Sequence, residues 1–177
     1  GSEMCIRDRD NGADVNASTS TNGMTALILA CEGGHDNIVS MLIDRGADIN
    51  AKNHNGYTPL MLASNSGKTE IVTMLLENRS NVNLTTDTGY TALMMACREE
   101  HKEITELLLE NGADVNAVTK SGYTALELAS IKRCFPDPDH NKDIVTLLKK
   151  YIRRTELMNQ TLETVSYTHL RAHETCV

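Results

Sequence analysis

Gly67-Lys68-Thr69 holds the residue types that close a phosphate-binding loop: a glycine for close backbone approach, a lysine for the phosphate charge and a hydroxyl for a magnesium ion. Such a loop also needs a glycine five residues before the Gly-Lys pair, and Leu62 stands there, so an inter-helix turn is expected instead. A second cluster, Cys134, Asp137, Asp139, His140 and Asp143, gathers metal-capable side chains in one short stretch. It lacks paired Cys-x-x-Cys or His spacing, and a solvated loop without a metal is expected. Cys31 and Cys97 lie two periods of a repeat apart at a small-residue position of a helix, and read as packing residues. Neither His35 nor His101 reads as a catalytic base. No catalytic residue and no cofactor is expected, so the chain reads as something other than an enzyme.

The chain has 177 residues, no Trp and one Phe, which suits thin helical layers better than an aromatic-centred globule. Its net charge is −7, and the acidic residues dominate before Lys120, while Lys149, Lys150, Arg153 and Arg154 lie near the C-terminal end. Phosphate-backbone binding needs a concentrated basic surface, so a mainly acidic body argues against nucleic acid and the basic end reads as a solvated helix face. No run reaches the roughly 18 apolar residues of a membrane span. The cysteines show no paired framework, which favours a reduced, cytoplasmic compartment. Asn16, Asn78 and Asn159 begin glycosylation sequons, a pattern that matters only in secreted chains.

The termini carry a separate signal. A nucleotide string encoding Gly1-Ser2-Glu3-Met4-Cys5-Ile6-Arg7-Asp8 has a reverse complement that encodes Val165-Ser166-Tyr167-Thr168-His169-Leu170-Arg171-Ala172, and it resembles a sequencing-library adapter. Residues 1–9 and 165–177 are therefore expected to be adapter-derived.

The elements that position these residues emerge from a strict period. Gly23, Gly56, Gly89 and Gly122 are spaced by 33 residues, and with them recur Met24-Thr25-Ala26-Leu27, Tyr57-Thr58-Pro59-Leu60, Tyr90-Thr91-Ala92-Leu93 and Tyr123-Thr124-Ala125-Leu126. Thr25, Thr58, Thr91 and Thr124 suit the N-cap of a first helix, and Pro59 suits its first turn. Ile38-Val39, Ile71-Val72, Ile104-Thr105 and Ile144-Val145, each followed by a Leu or Met pair, mark a second helix. Gly12-Ala13-Asp14-Val15-Asn16-Ala17, Gly46-Ala47-Asp48-Ile49-Asn50-Ala51 and Gly112-Ala113-Asp114-Val115-Asn116-Ala117 form connecting phrases, degraded to Arg79-Ser80-Asn81-Val82-Asn83-Leu84 in one copy.

These phrases closely resemble the ankyrin repeat family. The resemblance implies an all-α solenoid of stacked helix-turn-helix layers with short β-hairpin or turn projections. Repeats are expected at 20–52, 53–85, 86–118 and 119–158, the last with an inter-helix insertion at about 132–140. Residues 10–19 read as the tail of a preceding repeat and 159–164 as a C-terminal extension, so the natural protein is expected to extend upstream. Family resemblance suggests a turn-stabilising hydrogen bond for His35 and His101. The recurring Asn16, Asn50, Asn83 and Asn116 are expected to fix the connecting turn. Ile28, Met61, Met94 and Glu127 stand where the family signature usually has His, so apolar packing must replace that polar contact in the first three repeats.

In the family, partners usually bind the concave face of hairpin tips and first helices. Here Met24, Tyr57, Tyr90 and Tyr123 form one column, and aromatic anchors supply much interface energy. Around it stand His54, Asn55, Asp87, Thr88 and Lys120 at the tips, then Glu32, Asn65, Arg98 and Glu99 at the ends of first helices. The expected function is non-catalytic binding of a protein partner of polar and partly basic character by a monomeric chain. The alternative is a substrate-targeting arm of a larger multidomain enzyme, a ligase or kinase.

Overall fold

Four capping threonines decide where the first helix of each layer begins. Thr25, Thr58, Thr91 and Thr124 are extended at the backbone, and each hydroxyl accepts from the amide three residues on, at 3.2–3.3 Å. Glu127 reaches back to the Thr124 amide at 2.7 Å, completing a capping box in the fourth layer. The structure, a computed structural model, describes residues 14–131 and 141–174, with side chains through residue 161. The expected adapter segment 1–9, residues 10–13, the 132–140 insertion with Cys134, Asp137, Asp139 and His140, and residues 175–177 lie outside the described residues.

The described helices are α1 Ala26–Gly33, α2 Asp36–Asp44, α3 Pro59–Asn65, α4 Thr69–Glu77, α5 Ala92–Arg98, α6 Lys102–Glu110, α7 Ala125–Ser130 and α8 Lys142–Glu174. The first helices α1, α3, α5 and α7 stack on one another in order, and the second helices α2, α4, α6 and α8 form a layer behind them. Between neighbouring layers lie the fully buried Leu27, Ile28, Leu60, Met61, Leu93 and Met94, while Ala30, Ala63, Ala96 and Ala129 allow close helix approach. Burial of Ile28, Met61 and Met94 agrees with apolar packing taking over at that column. No helix among the described residues is long and apolar enough to cross a membrane.

The projections between layers are tight turns rather than paired strands. Among the described residues only isolated bridges form, Ser18 with Thr25 and Val118 with Thr124. The cause is local: the Asn53 amide donates to the Tyr57 carbonyl at 3.0 Å, and the next residue, Thr58, is already the helix cap. No length of chain is left for a second ladder pair. An extra residue in the first turn shows in Gly23, whose amide donates to Thr19, four residues back, where Gly56 donates to Asn53, three back.

The side chains of the recurring asparagines do not fix their own turn. Asp14, Asp48, Asn81 and Asp114 do that, accepting from the amides of Asn16, Asn50, Asn83 and Asn116 at 2.9–3.0 Å. The Asn side chains instead cross to the following repeat: Asn16 Oδ1 accepts from the Asp48 amide at 2.7 Å, Asn50 Oδ1 from Asn81 at 2.9 Å, and Asn83 Oδ1 from Asp114 at 2.8 Å. Asn83 Nδ2 also donates to the Gly112 carbonyl at 3.1 Å. His101 likewise bonds outside its own turn, its Nε2 standing 3.2 Å from the Asn65 carbonyl of the preceding layer.

The degraded phrase Arg79-Ser80 has a physical signature. Arg79 holds φ 63°, in the left-handed region that its counterparts Gly46 and Gly112 reach with no Cβ penalty. Ser80 replaces Ala47 and Ala113, and its buried Oγ finds no hydrogen-bond partner in the structure.

Two stability predictions follow from these contacts. Arg79→Gly combined with Ser80→Ala removes both defects, and urea unfolding is expected to show a gain of about 1–3 kcal/mol; an unchanged or lower midpoint contradicts this account. Asn83→Ala breaks two inter-repeat bonds and is expected to lose about 1 kcal/mol, whereas Asn116→Ala, which breaks none, stays within about 0.5 kcal/mol of the parent. Equal losses in the two variants would show that the crossing bonds contribute nothing.

Candidate protein-binding surface

The turn tips are tied to one another. The His54 amide donates to the Asn22 carbonyl at 3.0 Å, Asp87 to Asn55 at 3.1 Å and Lys120 to Thr88 at 3.0 Å, so the four projections form a continuous edge. That approach explains the periodic glycine: a Cβ on Gly56 would stand 2.9 Å from the Asp87 amide and one on Gly89 3.0 Å from the Lys120 amide. Both also hold positive φ, so close approach and backbone hand demand glycine together.

A side chain within each turn then places the aromatic column. Asn53 Oδ1 accepts from the Tyr57 amide at 2.9 Å, Thr86 Oγ1 from Tyr90 at 3.0 Å and Thr119 Oγ1 from Tyr123 at 3.0 Å. Tyr57 and Tyr90 are half-buried and Tyr123 is exposed. Met24, expected at the head of this column, is instead buried at 8% exposure, with Asn53 Nδ2 3.4 Å from its Sδ. A flexible thioether lies down beneath the neighbouring turn where a rigid phenol stays up.

Of the other expected residues, Glu32, His54, Asn55, Asp87, Thr88 and Lys120 are exposed, and Asn65, Arg98 and Glu99 are half-buried. A shallow concavity of about 400 Å³ gathers Asn22, Met24, Glu32, Asn53, Asn55, Tyr57, Leu62, Asn65 and Arg98. It thus brings together residues of the first three repeats, while Tyr123 and Lys120 lie further along the edge. The turn acceptor Asn53 and the helix residue Leu62 were not among the expected residues; the column Asn53, Thr86, Thr119 was the available signal for the first.

Arg98 is held from three sides. Its Nη2 donates to Asn65 Oδ1 of the preceding repeat at 3.0 Å, its Nε pairs with Glu99 at 3.0 Å, and its guanidinium lies 5.5 Å from the Tyr90 ring centroid. Two of five donors are engaged, which leaves capacity to bond a guest.

Of the chemical candidates, Gly67-Lys68-Thr69 and Asp143 lie among the described residues, where they make packing and surface contacts. Gly67 takes φ 69° and Thr69 begins α4, while the Lys68 stem fills the space beside Gly34, its Cε 2.7 Å from where a Cβ there would stand. Asp143 pairs with Lys102 at 2.8 Å, which holds its carboxyl below the usual range. Among the described residues no three His, Cys, Asp or Glu side chains converge. A second concavity, about 630 Å³, separates Leu109, Glu110 and Gly112–Val115 from Tyr151, Arg154, Thr155 and Met158, because α8 runs on where other second helices end.

Comparison with known proteins agrees with the repeat architecture. The family model for ankyrin repeats in three copies matches residues 4–86 and 75–159. The chain is similar to the ankyrin repeat and KH domain-containing protein mask of Drosophila melanogaster, 43% identical over 44 residues, which covers 25% of this chain and 1% of that protein. It is also similar to human ankyrin repeat domain-containing protein 17, 48% identical over 40 residues, and to human ankyrin repeat and KH domain-containing protein 1, 50% identical over 40 residues; each match covers 23% of this chain and 2% of the relative. The chain therefore spans only 1–2% of the length of these relatives.

Cys31 and Cys97 are free and buried, and burial pushes both thiols from the ordinary 9.0 up to about 12. The folded state disfavours the thiolate, so its stability is intact below pH 9 and is lost as pH rises from there toward 12. The loss is expected to be on the order of 2 kcal/mol per thiol by about pH 10.5. Thermal melts across this range should fall more steeply for the parent than for a Cys31→Ala/Cys97→Ala variant; parallel curves count against thiol burial as the cause.

Proposed function

The chain belongs to the ankyrin repeat family, and from that premise we propose that it is a non-catalytic recognition module whose guest is a protein segment laid along the turn tips and first helices. Ankyrin repeats generally mediate protein–protein interaction. The observation that carries the finer reading is the concavity linking the first three repeats, in which Tyr57 and Arg98 face a common space walled by Asn55, Asn65 and Glu32. A tyrosine offers apolar area and a hydroxyl at small entropic cost, and an arginine already anchored loses little freedom on binding.

Chemistry fits this surface less well. Of its lining residues only Glu32 and Tyr57 could act as base or nucleophile, and among the described residues no hydrogen bond joins them into a catalytic pair. Glu32, Asp87 and Glu99 near the concave edge, on a chain of net charge −7, favour a guest that is polar and partly basic. Two buried free thiols suit a reducing, cytoplasmic setting. Two of the similar proteins carry ankyrin repeats and a KH domain in one chain, as their names state, which is consistent with repeats that recognise while other domains act.

The test uses the full chain and its Tyr57→Ala/Tyr90→Ala/Tyr123→Ala variant in affinity capture, followed by titration of each purified partner. Loss of these side chains is expected to weaken binding by about 30-fold, the equivalent of one true hot spot, at unchanged helicity. A Glu70→Ala/Glu77→Ala control on the exposed side of α4 should bind as the parent does. Equal binding by all three chains would place recognition elsewhere.

A further inference from the structure

Glu32, Asn65 and Arg98 are spaced by 33 residues in the closing turns of α1, α3 and α5, one in each of three successive layers. A helix ends in unpaired carbonyls, whose partial negative charge favours a cation in the last turn and disfavours an anion. Arg98 has the favoured sign and is fixed by Asn65, Glu99 and the Tyr90 ring. Glu32 has the opposed sign, and α1 has no base in its last turn to offset it. Its side chain is exposed and makes no hydrogen bond or ion pair among the described residues. A charge set against its own helix, with no partner inside the molecule, suits a partner from outside it.

Arg98 differs in what it can take from a guest. Glu99 at 3.0 Å already offsets its charge, while its Nη1 donors have no partner among the described residues. A compensated guanidinium with open donors suits a neutral oxygen, such as a peptide carbonyl, better than a second carboxylate, which Glu99 would repel. Asn65 is similar: its Oδ1 is spent on Arg98, and its Nδ2 remains a donor without a partner among the described residues. Glu32 and Arg98 are the charged residues lining the shared concavity of about 400 Å³, so its uncompensated charge is that of Glu32.

We propose that this concavity holds an extended peptide strand by its backbone and reads one basic side chain of that strand, a lysine or an arginine, on Glu32. The proposal deepens the concave-face reading and rests on it. Asn65 and Arg98 donate to main-chain carbonyls of the guest, and Tyr57 with Leu62 offers apolar area to the stretch between. Packed helices lie about 8–10 Å apart, so two layers set Glu32 and Arg98 roughly 16–20 Å from each other along the stack. An extended strand rises about 3.3 Å per residue, which puts the basic residue about five or six positions from the carbonyl that Arg98 bonds.

The experiment selects phage-displayed random linear peptides on the full chain, at about twelve residues long enough to span Glu32 to Arg98. Selected peptides are expected to share a Lys or Arg at one place, and a synthetic copy should bind Glu32→Lys at least about tenfold more weakly than the parent chain. Changing that peptide residue to Glu should restore binding to Glu32→Lys and weaken binding to the parent by a similar factor. The Tm of Glu32→Lys should equal or exceed the parent's, because the new charge suits the helix end, and this separates lost binding from lost fold. Arg98→Met should weaken every selected peptide, whatever its side chains. The proposal is overturned by peptides with no shared basic place, by peptides sharing an acidic one, by recovery of none above background, or by Glu32→Lys binding as the parent does. Selected peptides that bind the Tyr57→Ala/Tyr90→Ala/Tyr123→Ala chain as tightly as the parent would overturn the concave-face reading, and the proposal with it.

Discussion

A helix pair one layer thick has apolar residues on both sides and no means of covering either. Burying a Leu, Ile or Met side chain is worth about 1.5–3 kcal/mol, while ordering each residue costs about 1–2 kcal/mol, so a single layer does not fold alone. Stacking changes the balance, because one interface buries two faces at once. Ile71 of α4 and Ile104 of α6 are each at most 1% exposed with a layer packed before them, whereas Ile38 of α2, without one among the described residues, is 47% exposed. Every other feature of the chain is subordinate to that requirement, including where it can present side chains to a partner.

Apolar packing supplies energy but little register, since one Leu slides past another at small cost. Register comes from weak, directional bonds that cross each interface: one between turn tips and one from an Asn side chain to the next connecting turn. Each is worth only about 1 kcal/mol, but a slipped stack would strand their donors and acceptors together. Gly56 and Gly89 belong to the same device, because any side chain there would push the next turn out of bonding distance.

What could be read from the sequence was whatever repeats. The 33-residue period, the capping threonines, the turn glycines and the apolar columns each recur, and each carries a local mechanism, so the layered all-α fold was legible in detail. What could not be read was what one repeat does to the next. Asn16, Asn50 and Asn83 looked like turn residues because their spacing within a repeat is local, but their acceptors serve amides about thirty residues away. Met24 shared a column with three tyrosines, and only packing beneath Asn53 distinguishes it. The triple anchoring of Arg98 joins two repeats through side-chain torsions that no periodicity encodes.

The division of labour among columns then lets the proposed recognition coexist with stability on so thin a scaffold. Positions facing along the stack are filled by neighbours and leave no freedom, whereas tip positions such as His54, Asp87 and Lys120 contribute their backbones to the ladder and leave their side chains outside. Arg98 sits at the boundary between the two classes: its hold on Asn65 depends on the second and third repeats being in register, and its remaining donors are available to a guest. A slipped layer would release that guanidinium and impose on binding the entropy that the fold has already removed. The shape of the concave surface is therefore a consequence of stacking register, and the proposed recognition would draw on side chains that stacking leaves alone.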